Sequence, residues 1–162
     1  RIYENTKALP RALLFADYKV FKDASEFEQT FFSREFDPAK TLLLEEVPVD
    51  FRVSSLQNGQ ANITHYQPNK VTIETKSNSK ALLFLSDTHY PGWEATVDNE
   101  EVPIYRADYA FRAVVVPEGA HSVIFSYNPS SFSFGLKTSI LCIVLLLVIG
   151  QIVIRKKVFY EA

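Results

Sequence analysis

Methionine is absent from this 162-residue chain, and cysteine, tryptophan and histidine are nearly so, at one, one and three residues. A single cysteine, Cys142, excludes an intrachain disulfide, so any folded domain must be held by its core alone. Cys142 sits in an apolar run, where a packing or lipid-facing role is expected and an activated thiol is not. His65, His89 and His121 stand far apart, without the i,i+4 or cysteine-paired spacing that zinc requires. There is no phosphate-binding glycine loop and no G-x-S-x-G elbow, so neither a metal nor a cofactor is expected. Repeats, low-complexity stretches and long linkers are missing too. Without methionine and with Arg1 first, the chain is expected to be the C-terminal end of a larger protein.

Positive charge is also in short supply, except at one place. Residues 1–136 hold 13 Lys+Arg against 18 Asp+Glu, a net of −5. That acidic balance argues against nucleic acid or an anionic lipid surface as partner of this part.

What the chain has instead is a 17-residue run without formal charge, Thr138 to Ile154. As a helix it spans roughly 26 Å, slightly short of a ~30 Å hydrocarbon core. Starting at Phe132 lengthens it to 23 residues, with Lys137 able to snorkel toward the headgroups. A buried core helix seldom stays apolar on every face for so long, so a transmembrane helix is expected. Its position at the far end of the chain excludes a signal peptide. The basic cluster Arg155, Lys156 and Lys157 follows directly, and the positive-inside rule puts it in the cytoplasm. Tyr127, Phe132 and Phe134 before the run, and Phe159 and Tyr160 after it, resemble aromatic belts. The expected organisation is an extracytoplasmic domain over 1–130, a transmembrane helix with its basic flank over 131–157, and a cytoplasmic tail over 158–162. The lipid bilayer is the first expected partner.

The rest reads mostly as strands: Ala12–Phe15, Tyr18–Phe21 and Lys40–Glu46 are short apolar runs. Asp23, with Glu26 three residues on, signals a capping box for a helix over Ala24–Ser33 that Asp37-Pro38 ends. After a Gln57–Gln60 turn the period becomes two: Val71, Ile73 and Thr75 alternate with polar neighbours. Ala81–Leu85 is apolar throughout and fits a central strand covered on both faces. Trp93–Val97, Val102–Arg106, Phe111–Val116 and His121–Tyr127 follow, with turns at Asp98–Glu101 and Pro117–Ala120, and Pro129–Ser133 forms a hinge. Short strands at such spacing predict an all-β, antiparallel β-sandwich, jelly-roll-like, with one short helix. Trp93, in phase with Ala95 and Val97, is expected in the core, with sugar stacking as the other reading.

Few residues suggest chemistry. Asp87 and His89 share a strand face and could form an acid–base pair beside Ser86; the plainer reading is a polar loop start before Tyr90-Pro91-Gly92. Asn62-Ile63-Thr64 matches a glycosylation sequon, a pattern that chance often produces. Asp87, His89, Tyr90, Arg106, Tyr109 and Arg112, with Asp108 among them, concentrate charged and aromatic groups in two short stretches. They are the candidate ligand-binding residues, on loops where a rigid sandwich usually carries its site. The alternative is that Arg106 pairs with Asp108 and Arg112 with Asp87 as ordinary surface ion pairs.

Leu85–Tyr127 carries the most specific pattern. Tyr90-Pro91-Gly92-Trp93, Val97-Asp98, Phe111-Arg112, the Pro117-x-Gly119-x-His121 turn and Tyr127-x-Pro129 resemble the end of the YfhO-like family of bacterial multi-pass membrane proteins. Ala8-Leu9-Pro10-Arg11-Ala12 and Phe36-Asp37-Pro38 fit as well. Asn99 stands where a glycine is common, and asparagine tolerates the same left-handed turn. The resemblance implies a polytopic cell-envelope glycosyltransferase with a lipid-linked sugar donor. Its catalytic acid would lie in an early loop outside this chain, so no catalytic residue is assigned here. The implied partners are upstream transmembrane helices of the same protein and a cell-wall glycopolymer or lipid-linked sugar. Two functions follow: an accessory, carbohydrate- or acceptor-binding domain of such an enzyme, or a structural or protein-interaction module without sugar chemistry.

Overall fold

Alternating apolar positions build two facing sheets from short strands. The computed structural model describes residues 5, 8–52, 55–56 and 58–160, with side chains to 151. It divides into one unit up to Asn128 and a second from Pro129.

In the first unit, β1 (Ala12–Phe15), β2 (Asp17–Val20), β3 (Thr41–Leu44), β6 (Ala81–Leu85), β9 (Tyr105–Ala107) and β10 (Phe111–Val116) form a sheet ordered β1-β6-β10-β9-β3-β2. The second sheet takes β4 (Gln60–Gln67), β5 (Lys70–Ser77), β7 (Trp93–Val97), β8 (Glu100–Val102) and β11 (Gly119–Tyr127), ordered β4-β5-β11-β7-β8. All neighbours are antiparallel except β2 and β3, which run parallel. Eleven described strands exceed the eight of a simple jelly roll.

The core has two layers. Val71, Ile73, Leu83, Leu85, Val114, Val123 and Phe125 fill the space between the sheets. Phe15, Leu42, Leu44, Phe51, Leu82, Phe84 and Tyr105 cluster on the other face of the first sheet. β6 serves both layers, Leu83 and Leu85 to one and Leu82 and Phe84 to the other, which is why its sequence is unbroken apolar. Each such side chain contributes roughly 1.5–3 kcal/mol of burial.

Several local expectations change. The stretch Val102–Arg106 is two strands, because Pro103 has no N–H to extend a ladder and the chain crosses there from one sheet to the other. β4, which period-two reading passes over, is a full edge strand. Of the expected turn before it, Gln57 lies outside the described residues. The helix α1 (Ala24–Phe31) is shorter than its pattern. Asp23 caps it by accepting the Glu26 N–H at 2.9 Å, but the Glu26 carboxylate accepts from Lys22 N–H, one residue before the capping-box position. Phe27 and Phe31 stack at 5.1 Å on its apolar side, while Phe32 is exposed. Asp98 and Asn99 take φ of 51° and 73°, the left-handed pair that a tight β7–β8 turn needs.

The second unit is one helix, α2 (Ser130–Tyr160). It starts inside the stretch expected as a hinge; only Pro129 and Asn128 separate it from β11. Its segment Ser130–Gln151 is apolar over 22 residues and none of that window is buried. At 1.5 Å per residue this is about 33 Å, enough to cross a bilayer. The Arg155–Lys157 cluster lies on the same helix, beyond the described side chains, and residues 161–162 of the expected tail lie outside the described residues.

Candidate ligand cleft

The sandwich is open at the end where β6 and β11 finish and β7 and β10 begin. At that end the ladders finish on inward-facing charged and aromatic side chains. Arg112 is opposite Leu85 and therefore points between the sheets, at the first inward position of β10. Trp93 and Tyr127 are cross-strand partners on the second sheet, their rings 5.4 Å apart. Tyr66 joins them through an irregularity in β4. The register with β5 shifts between Ile63 and His65, so Ile63 pairs with Ile73 and Tyr66 with Val71, both inward positions. Without the extra residue Tyr66 would face outward.

These groups line a cleft of about 560 Å³, with Asp87 and Tyr90 from the β6–β7 loop on its side. The Arg112 guanidinium is 1% exposed, and it donates from Nη2 to Asp87 Oδ2 at 3.0 Å. Its carbon lies 3.8 Å from the centre of the Trp93 ring and 5.1 Å from that of Phe125. Among the described residues the buried Nε and Nη1 have no hydrogen-bond partner, and the cation is flanked by the Trp93 and Phe125 rings. Burial lowers the Arg112 pKa, and the Asp87 bond works against that loss. Arg11 reaches the other Asp87 oxygen, lies over the Tyr66 ring at 4.4 Å, and donates to Tyr66 Oη at 2.6 Å. Its bond to Asp87 raises its pKa. Half of the Arg11 side chain remains exposed, as do the Tyr66 and Tyr90 rings.

Of the six candidate residues, Asp87, Tyr90 and Arg112 meet at this cleft. His89, Arg106 and Tyr109 do not line it. His89 ties its loop to the β9–β10 turn by donating its backbone N–H to Ala110 O at 2.7 Å. Burial, with Arg106 next, holds its pKa low; Asp87 spends its carboxylate on Arg11, Arg112 and Tyr66. Arg106 pairs with Glu45 at 3.0 Å rather than with Asp108. Asp108 exchanges bonds with Leu43, its carboxylate accepting that N–H at 3.0 Å, and burial pushes its pKa to about 6. Tyr109 packs on Phe27 of α1. The Asp87–Arg112 pair exists, but as a buried strut rather than a surface ion pair. Trp93 is half-buried: one side packs on the core and the other lines the cleft. Arg11, Tyr66 and Tyr127 were not among the candidates, and Arg11 and Tyr66 stand 76 and 21 positions from Asp87 in the chain.

A β-sandwich with a recessed aromatic and ionic cleft, continued by an apolar helix long enough to span a bilayer, defines a membrane-anchored β domain. Residues 44–139, more than half of the chain, match the family described as bacterial membrane protein YfhO, and the chain belongs to that family. It is accordingly a membrane protein. No curated protein and no solved structure gives a significant match.

Proposed function

We propose that the chain is the extracytoplasmic accessory domain and last membrane anchor of a bacterial cell-envelope glycosyltransferase, and that the open end of the sandwich receives a sugar ring. One observation carries the reading: exposed Tyr66 and Tyr90, half-buried Trp93 and the fixed Asp87 carboxylate converge on one concave surface. Sugar C–H faces stack on aromatic rings while hydroxyls seek fixed polar partners, and this cleft offers both. Upstream membrane helices of the same protein would supply the catalytic acid, the sugar would be part of a glycopolymer acceptor or a lipid-linked donor, and the basic cluster after α2 would lie in the cytoplasm.

The test uses Trp93, the single tryptophan. Titrating the chain in detergent micelles with oligosaccharides from a bacterial envelope polymer should change Trp93 fluorescence in a saturable way. Tyr90→Ala should weaken that response without lowering the melting temperature. A flat titration across such fragments would remove the carbohydrate reading.

The burial of Arg112 favours a second reading. In it the Arg112–Asp87–Arg11 cluster is a structural clasp between sheets, and the domain is a structural or interaction module. Full sugar transfer by a full-length enzyme with the cleft tyrosines removed would support this one.

A further inference from the structure

The first unit is acidic as a whole, yet its cleft is not. Among the described residues its charged side chains are two guanidiniums and one carboxylate, Arg11, Arg112 and Asp87, an excess of one positive charge. The two arginines differ in kind. Arg112 is sealed between Trp93 and Phe125 and its charge is matched by Asp87. Arg11 shares the same carboxylate, so its own charge is only partly balanced, and half of its side chain faces the cleft and solvent. Its position is fixed from two sides: the Tyr66 ring lies beneath it, and its backbone carbonyl accepts the Ser86 N–H at 2.9 Å as the β1–β6 ladder ends. An exposed guanidinium held in place, with the exposed Tyr90 ring on the same cleft, is suited to a carboxylate or phosphate carried by a sugar.

Resting on the carbohydrate reading, we infer that the cleft selects an anionic sugar residue, one bearing a carboxylate or a phosphate group. The ring lies against Tyr90, and the anionic substituent meets Arg11. Asp87 cannot be the contact for that substituent; its task is to neutralise Arg112 and orient Arg11.

The experiment titrates the full chain in neutral detergent micelles at constant ionic strength, with Trp93 fluorescence as readout. The probes are glucose, glucuronate, glucose 6-phosphate, sodium acetate and inorganic phosphate. At least one of the two anionic sugars should half-saturate at a concentration about tenfold below glucose; which of them does so separates a carboxylate from a phosphate ligand. Arg11→Gln should abolish the preference for the anionic sugars over glucose, and Arg11→Lys should restore part of it; far-UV circular dichroism checks the fold of each. Equal half-saturation by glucose and both anionic sugars overturns the inference and leaves the carbohydrate reading standing. Acetate or phosphate acting as well as the anionic sugars overturns it as well, because the ring then contributes nothing. No response to any sugar removes both readings together.

Discussion

Arg112 and Trp93 belong to different sheets, yet the guanidinium carbon of one lies 3.8 Å from the ring centre of the other. The contact closes the core at its open end and forms the floor of the cleft, so stability and binding surface meet in the same two side chains.

Trp93→Ala should therefore destabilise the chain by about 3 kcal/mol, the low end for a large aromatic because one side of the ring is already wet. Chemical denaturation in micelles measures it. A change within about 0.5 kcal/mol would mean that Trp93 is a surface group only.

The Asp87 cluster predicts a steep difference between its members. Asp87→Ala leaves the buried Arg112 charge unmatched and should cost about 3–5 kcal/mol. Arg11→Ala removes a half-exposed partner and should cost no more than about 1 kcal/mol. Combining Asp87→Ala with Arg112→Met should recover much of the first loss, because no charge then remains buried. If the double variant is as unstable as the sum of the singles, the strut is not electrostatic.

Asp108 sets a pH dependence. Its folded pKa of about 6 lies above the ordinary carboxylate value near 3.9, so the folded state holds the proton more tightly than the unfolded one. Stability linked to this group is full below about pH 4 and declines as pH rises through about 6. Asp108→Asn keeps an acceptor for the Leu43 N–H without the charge. It should raise the melting temperature at pH 8 and flatten that stretch of the profile; an unchanged profile would show that Asp108 ionises freely.

His121 should titrate in the same sense, by hydrogen bonding rather than burial. Nδ1 meets Asp98 Oδ2 at 2.6 Å and Nε2 meets the Glu118 carbonyl at 2.9 Å, so both ring positions favour a proton. The Asp98 bond, then the Glu118 bond, raises its pKa. Stability from this group is present below about 6.5 and is lost as pH rises through the raised folded value. An NMR titration of the ring should give a midpoint above 6.5 that falls in Asp98→Asn.

Sidedness is open to direct labelling. In a full-length protein with Cys142→Ser, a cysteine at Asn58 should react with an impermeant thiol reagent in intact cells. Labelling only after lysis would reverse the orientation.

Most of the sandwich is legible in the chain because period-two alternation and one-sided burial coincide, as at Val71, Ile73 and Thr75. β4 is hidden for the reason that makes it useful. Its inward residues Ala61, Ile63 and Tyr66 are not evenly spaced, since the register shift falls among them. The Pro103 crossing was available in principle, as a residue unable to extend a ladder. Asp87 and Arg112 can be picked out as chemically apt, but nothing local says that they touch. Arg11 and Tyr66 reach the cleft only through strand order, which the alternation pattern does not encode. Arg106 and Tyr109 precede the cleft residue Arg112 on the same stretch of chain, but are turned elsewhere by Glu45 and by α1.

β4 is also the border of its sheet, and a regular border of eight residues would offer a row of unsatisfied N–H and C=O groups to any neighbouring chain. In a membrane, copies diffuse in two dimensions and meet often. The shift between Ile63 and His65 breaks the row in its middle, so a second border laid beside it keeps register for only a few residues. The same single-residue offset that aims Tyr66 thus guards the protein against edge-to-edge polymerisation.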